Sequence, residues 1–153
     1  MERESMEYDV VIVGAGPAGL STACKLKQLN EEITVCVVEK GSEVGAHILS
    51  GAVFETRALD ELIPDWKEKG APVDVEVKSE SIKVLGPSGS VPLPTFAMPP
   101  MVQNHGCYIL SMGSLCRWLA AEAENLGVEI YPGLAASQPL FSAEGSLRGV
   151  VVG

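Results

Sequence analysis

The run Tyr8-Asp9-Val10-Val11-Ile12-Val13 meets Gly14-Ala15-Gly16-Pro17-Ala18-Gly19 without a spacer, and this junction constrains the fold more than any other part of the chain. A short apolar run rich in β-branched residues predicts a strand buried on both faces, as in a parallel sheet. The glycines at 14, 16 and 19 fit GxGxxG, a spacing that requires a helix to follow. Gly14 permits the tight turn, Gly16 leaves room for a pyrophosphate to reach backbone, and Gly19 lets the helix lie close to the strand. Pro17 suits the first helical turn, where its missing N–H costs nothing. The small-residue turn, Ala18 included, therefore places free N–H groups and the positive end of a helix at a phosphate site. Leu20 to Leu29 continues as the helix, with Leu20, Ala23 and Cys24 on one face and Leu26 and Leu29 off it. After the polar Asn30-Glu31-Glu32, Ile33 to Val38 predicts a second buried strand ending on Glu39-Lys40, which completes a βαβ unit.

Glu39 stands 20 residues after Gly19, where a strand-end carboxylate accepts hydrogen bonds from adenosine ribose hydroxyls and repels a 2′-phosphate. An ADP-containing cofactor other than NADP follows, with Lys40 beside it in the site. FAD and NAD share this recognition. The glycine-rich Gly41 to Ala52, GSEVGAHILSGA, replaces an immediate third βα repeat and favours FAD, whose pyrophosphate and ring edge need extended backbone contact. Gly45, Ala46, His47, Ser50 and Gly51 are the expected contacts there. Two roles stay open for His47: touching the cofactor or fixing the loop. His105 reads as structural.

Beyond the loop, Glu55 to Leu62 predicts a short helix stopped by Pro64, and Asp65 to Gly70 is charged and exposed except for the Trp66 indole. Val73 to Val77 and Ser81 to Leu85 read as antiparallel strands joined by turns, and Val91 to Gly106 as Pro-rich and irregular. Tyr108 to Leu110 predicts a short strand, and Leu115 to Asn125 a helix N-capped by Ser111 or Ser114 and ended by Gly127. Val128 to Tyr131 is an expected strand, and Gln138 to Phe141 with Leu147 to Val152 an expected hairpin. Stopping inside an apolar strand, the chain reads as the N-terminal part of a longer protein. The expected division is 1–72 as the nucleotide-binding βαβ unit and its loop, 73–110 as an inserted β and Pro-rich region, and 111–153 as the returning helix and strands.

Composition removes several classes of function. The 153 residues carry 20 acidic and 11 basic side chains, a formal net charge of −9, which disfavours nucleic acid. The acidic start Met1 to Glu7 shows neither a signal nor a transit peptide. Val84 to Cys116 holds no charged residue, but its five prolines forbid a spanning helix. Cys24, Cys36, Cys107 and Cys116 lack the close pairing of a metal site, so no metal ligand is named and the thiols read as reduced and mostly buried.

The runs VVIVGAGPAGLS, VVEKGSEVGAHILSGAVFE, LIPDWKEKGAP, NHGCYILSMG and CRWLAAEAENLGVEIYPG together resemble the N-terminal part of the electron-transfer flavoprotein:ubiquinone oxidoreductase family, over nearly the whole chain. GAGPAG is shared by many flavoproteins, whereas GAHILSGA, PDWKEKGAP and LGVEIYPG are specific. The resemblance implies an α/β, Rossmann-like FAD-binding domain of the glutathione-reductase type with an inserted β region, in a monotopic membrane enzyme. It implies electrons taken from electron-transfer flavoprotein, moved through FAD and one [4Fe–4S] cluster, and passed to ubiquinone. The cluster segment, the second FAD motif and the full quinone surface would lie beyond residue 153, so this portion alone is expected to be inactive. By the same carry-over Gly14, Gly16, Gly19 and Glu39 hold the ADP half, Gly45 to Gly51 line the flavin side, and Ala135 or Ala136 presents backbone near adenine. Arg117 and Ser111 lie in the segment that approaches the cofactor, with a plain surface role for Arg117 as the alternative. The chemistry implied is electron transfer, so no catalytic acid or base is named. The acidic start resembles bacterial members, implying the cytoplasmic side of the bacterial inner membrane, or the mitochondrial inner membrane in a eukaryote. The uncharged 84–116 stretch is either a part of the membrane or quinone face or a covered interdomain loop. The rival readings are another FAD-dependent reductase or monooxygenase of this fold, and a non-catalytic, truncated nucleotide-binding module.

Overall fold

Four consecutive buried residues, Val35 to Val38, mark the centre of the principal sheet in the computed structural model, which describes residues 4–49, 51–99 and 102–153. They lie in β2 (Val35–Glu39), flanked by β1 (Val10–Val13) and by β8 (Glu129–Pro132). All three strands are parallel, with Val11 opposite Cys36 and Cys36 opposite Glu129. Only the central strand is buried on both faces. In β1, Ile12 points toward the helix side, while Val11 and Val13 are 37% and 59% exposed, so the expected double burial of the first strand is corrected. β1 is an edge strand among the described residues, and an edge has one neighbour to cover it instead of two.

Two helices cover one face of this sheet. α1 (Pro17–Leu29) starts with extended Gly16 as N-cap and Pro17 at its first position, three residues before the apolar stripe the sequence marks. It buries Leu20, Ala23, Cys24 and Lys27, the i, i+3, i+4, i+7 spacing of one helical face. Lys27 is admitted because its ammonium donates to the carbonyls of Glu31 and Ile33, which close the helix end. α3 (Met112–Asn125) packs beside α1 through Leu115, Cys116, Leu119, Ala120 and Ala123. Its N-cap is Ser111, whose hydroxyl accepts from the Ser114 N–H at 3.3 Å, which settles the choice between the two serines. Gly127, at φ +87°, follows the C-cap. Fully burying Leu20 and Leu115 is worth about 1.5–3 kcal/mol each.

The chain forms two compact units, Met1–Ser50 with Ser111–Gly153, and Gly51–Leu110. Residues 51–72 thus group with 73–110, and the boundary expected at 72/73 falls inside the second unit. The first unit also holds the antiparallel pair β9 (Ala136–Phe141) and β10 (Leu147–Val152), the expected hairpin.

In the second unit β7 (Tyr108–Leu110) is central, between β3 (Ala52–Phe54) and β4 (Val75–Glu76). Under it lies Trp66, 3% exposed, with α2 (Arg57–Leu62) alongside. The indole N–H donates to Asp60 Oδ1 at 2.7 Å, and the ring meets Tyr108 edge-to-face at 6.3 Å. The structure corrects the pairing expected here. β4 joins β7, while β5 (Ile82–Gly86) forms a hairpin with β6 (Gly89–Leu93) across Pro87-Ser88. The expected irregular stretch from Val91 therefore opens inside a strand. Pro92 is tolerated because a two-stranded hairpin leaves outward N–H positions free of ladder bonds.

Candidate functional site

At the C-terminal ends of β1 and β2 the glycine turn is built as its spacing predicts. Gly14 adopts φ +101°, a conformation that favours glycine, and its N–H donates to Val38 O at 2.8 Å. A Cβ on Gly19 would stand 2.1 Å from Gly14 O, so the third glycine is required for α1 to approach the turn. On Gly14 and Gly16 a Cβ would meet nothing within 4 Å, which leaves their backbone open on the ligand side. No side chain caps α1 and no acidic residue occupies its first turn, so the N–H groups of Ala18 and Gly19 face outward at the positive helix end.

Glu39 does more than its spacing predicts. Its Oε2 accepts from the Ala15 N–H at 2.8 Å and its Oε1 from the Gly41 N–H at 2.7 Å, joining the glycine turn to the following loop. Burial pushes this carboxyl up, yet the two backbone donors, helped by His47 and Lys40 nearby, bring it net below the ordinary glutamate value. Each oxygen keeps a second lone pair for a ligand hydroxyl. The hydrogen bonds that Ala15 and Gly41 donate to Glu39 are not legible in the sequence, because backbone donors leave no trace in side-chain type.

The loop after β2 is fixed at both ends. Gly41 O accepts from Gly133 N–H at 2.7 Å, and turns close from Glu43 O to Ala46 N and from Gly45 O to Ile48 N. Gly45, at φ +86°, lies against Gly113 at the start of α3. Lys40, Ala46 and His47 are exposed on this loop, and His47 lies close enough to Glu39 to help hold its carboxyl down. Arg117 is exposed on α3 and its Nη2 donates to Ser114 Oγ at 3.2 Å. Ala135 spends its carbonyl on the Gly153 N–H at 3.0 Å, and Ala136 pairs with Val152 in the β9–β10 ladder. Ser50 lies outside the described residues. Gly51, at φ +85°, opens the second unit. His105 is exposed near Asn104, whose side-chain and backbone N–H groups both reach Glu80 Oε2.

Cys24, Cys36 and Cys116 are buried, and burial raises the Cys36 thiol and pushes Cys116 up to about 11, which suits inert core thiols. Among the described residues no three His, Cys, Asp or Glu side chains gather as metal ligands, and no helix is long and apolar enough to cross a membrane. A cleft of about 540 Å³ lies in the second unit beside Trp66, Val73 and Tyr108, and contains none of the glycine-turn residues. The backbone cradle at the glycine turn, with Glu39 at its rim, is the better ligand site because its donors and acceptor converge without side chains between them. An ADP-bearing cofactor such as FAD fits it: open backbone at Gly16, an unopposed helix start for pyrophosphate, and carboxylate lone pairs for ribose.

Residues 12–66 match the family model for an NAD(P)-binding Rossmann-like domain. Over its whole length the chain is 62% identical to an electron transfer flavoprotein-ubiquinone oxidoreductase of Pseudomonas aeruginosa, covering 29% of that protein. It is 51% identical over 98% of its length to the mitochondrial electron transfer flavoprotein-ubiquinone oxidoreductase of Bos taurus, covering 25% of it. The chain thus spans between a quarter and a third of the length of these relatives. Among solved structures it is similar to a geranylgeranyl bacteriochlorophyll reductase-like protein from Thermoplasma acidophilum, with a TM-score of 0.66 at 22% identity over 95% of this chain and 34% of the other. CtdE in complex with FAD matches at a TM-score of 0.60 and 19% identity, over 96% of this chain and 35% of that one. These two likenesses show a shared fold, one that holds FAD in the CtdE structure.

Proposed function

This chain belongs by sequence to the electron transfer flavoprotein-ubiquinone oxidoreductase family, and we propose that it supplies the ADP-binding part of the FAD site in an enzyme passing electrons from reduced electron-transfer flavoprotein to ubiquinone. The observation that carries this reading is the coupled cradle: an open glycine turn at the start of α1, joined through both oxygens of Glu39 to the loop that follows β2.

In this reading the backbone of Gly14, Gly16, Ala18 and Gly19, with Pro17 shaping the turn, receives the pyrophosphate. Glu39 accepts the ribose hydroxyls through its remaining lone pairs, and its charge repels a 2′-phosphate. Lys40, Gly45, Ala46 and His47 border the flavin side, Arg117 approaches from α3, and Ala135 and Ala136 border the adenine. Bound FAD supplies the acceptance and release of electrons; these residues bind and orient it, and none is assigned as an acid or base. A [4Fe–4S] cluster belongs, in this proposal, to the part of the relatives that the chain does not span.

Membrane contact is proposed for the β5–β6 hairpin, whose Leu85 is 79% exposed together with Val84 and Val91, and for nearby Phe96, 87% exposed. The enzyme would then sit peripherally on the bacterial inner membrane, cytoplasmic side, or on the mitochondrial inner membrane. Flotation with lipid vesicles tests this, and a protein that stays at the bottom of the gradient opposes it.

The main test is the visible spectrum of the purified full-length protein, with identification of the nucleotide released on denaturation. FAD is expected, and Glu39→Gln is expected to weaken its binding about tenfold or more, since the amide turns a donor toward one of the two backbone N–H groups. Release of NAD instead, or no nucleotide from a folded protein after adding FAD, overturns the proposal.

A further inference from the structure

Gly45 and Gly113 stand 68 positions apart in sequence and meet backbone to backbone, a contact that the cofactor-binding reading does not use. A Cβ on Gly45 would lie 2.7 Å from Gly113 O and 3.0 Å from Gly113 Cα. A Cβ on Gly113 would lie 3.1 Å from Gly45 O. Gly45 has no room for a side chain, and a Cβ on Gly113 would require the Gly45 carbonyl to give by a few tenths of an ångström; the atoms in the way are backbone, so the loop or the helix must shift to admit either. Gly113 is also buried in the first turn of α3, a place where glycine costs the helix relative to alanine. A residue unfavourable to its own helix is explained by what it touches.

We propose that Gly113 is a positioning residue for the cofactor site: by admitting the backbone of Gly45, it sets the height of residues 43–48 above α3. The rest of the loop's fixation agrees with this. Glu39 and Gly133 hold it at Gly41, and its turns close on Glu43 and Gly45, so the Gly45–Gly113 contact is a second anchor for 43–48. At the same place Ser111 caps α3 and Arg117 folds back along it, Nη1 lying 3.7 Å from where a Gly113 Cβ would be. Loop and helix start are therefore built as one surface. Its role toward FAD rests on the function proposed above; the positioning of the loop does not.

The test is Gly113→Ala in the full-length protein. A purely structural glycine in a helix predicts that alanine raises stability with no effect on the ligand. Positioning predicts a different combination: helix content retained with no gain in melting temperature, faster amide exchange at 43–48, and FAD affinity lower by about tenfold or more, because a displaced loop loses preorganised contacts. Unchanged loop exchange with FAD affinity within about twofold of wild type overturns the inference. Faster loop exchange in a protein whose wild type binds no FAD supports the clamp and sinks the FAD reading instead. If the variant does not fold, amide exchange of the FAD-free wild type decides. Joint protection of 43–48 and of the first turn of α3 supports the clamp, whereas a protected helix beside an unprotected loop overturns it.

Discussion

The two compact units differ in how many side chains hold them. The first spreads its burial over a central strand and two helix faces, with Leu20, Ala23, Cys24, Val37, Leu115, Cys116 and Ala123 each at most 2% exposed. The second has a three-stranded sheet whose strands are only two and three residues long, and gives Trp66 three separate partners: Asp60, Tyr108 and Lys67. A core of many small contributions tolerates the loss of one. A smaller core, which buries Leu59, Ile63, Ala71, Val73, Val77 and Leu110 together with one large indole, tolerates the loss of that indole less.

Trp66→Ala is expected to have the largest effect, costing the second unit about 3–5 kcal/mol. Urea denaturation followed by amide exchange should show residues 51–110 opening first while Val35 to Val38 stay protected. Simultaneous opening of both regions would break the contrast. Gly19→Ala probes the other unit, where the one intolerant point is steric: with Gly14 O only 2.1 Å from the new Cβ, α1 must move off the turn, at about 3 kcal/mol. Loss of bound FAD with the Trp66 environment unchanged is the expected result, read by near-ultraviolet circular dichroism. pH gives the smallest and most selective comparison. Glu39 in the first unit and Asp60 in the second, the latter held down by the Trp66 indole and Thr56, have lowered pKa values. Their stabilisation is present above the ordinary carboxylate range and lost as pH falls through the folded values, so acid weakens both units. Tyr8, held up by hydrogen bonds to Tyr131 and Glu129, and Tyr131, held up by Glu129, have raised values. Their contribution is present below about pH 10 and lost as pH rises, so alkali weakens the first unit selectively. Melting temperatures across pH should show this, and Tyr8→Phe should remove part of the alkaline fall.

The same contrast decided what could be read without coordinates. Val10 to Glu39 was legible because each level agreed: β-branched strands, glycine spacing, Pro17 at a helix start and one apolar helix face. The Leu115 to Asn125 helix was legible for the same reason, though it begins three residues earlier, at Met112. Pairing in the second unit was not, since strands of two or three residues carry no usable alternation and β4 finds its partner in β7, more than thirty positions away. Within the site, the glycines and Glu39 were visible by type and spacing. The Ala15 and Gly41 donors and the Gly45–Gly113 contact were invisible, because backbone groups are the same in every residue and only tertiary approach gives them a role.

The strand order β1-β2-β8 sets a schedule for synthesis. As the chain emerges from the ribosome, β1, α1 and β2 can assemble early, but β8 pairs with β2 through residues as far apart as Cys36 and Glu129. Everything from 51 to 110 is made in the interval, during which the α1 face of Leu20, Ala23 and Cys24 has no α3 to cover it. The nascent protein is then a sheet missing one side and a helix missing its neighbour, the kind of species that chaperones hold. Slow translation before residue 132 would lengthen that exposure, whereas early closure of the second unit would bring the two distant halves closer and shorten the search.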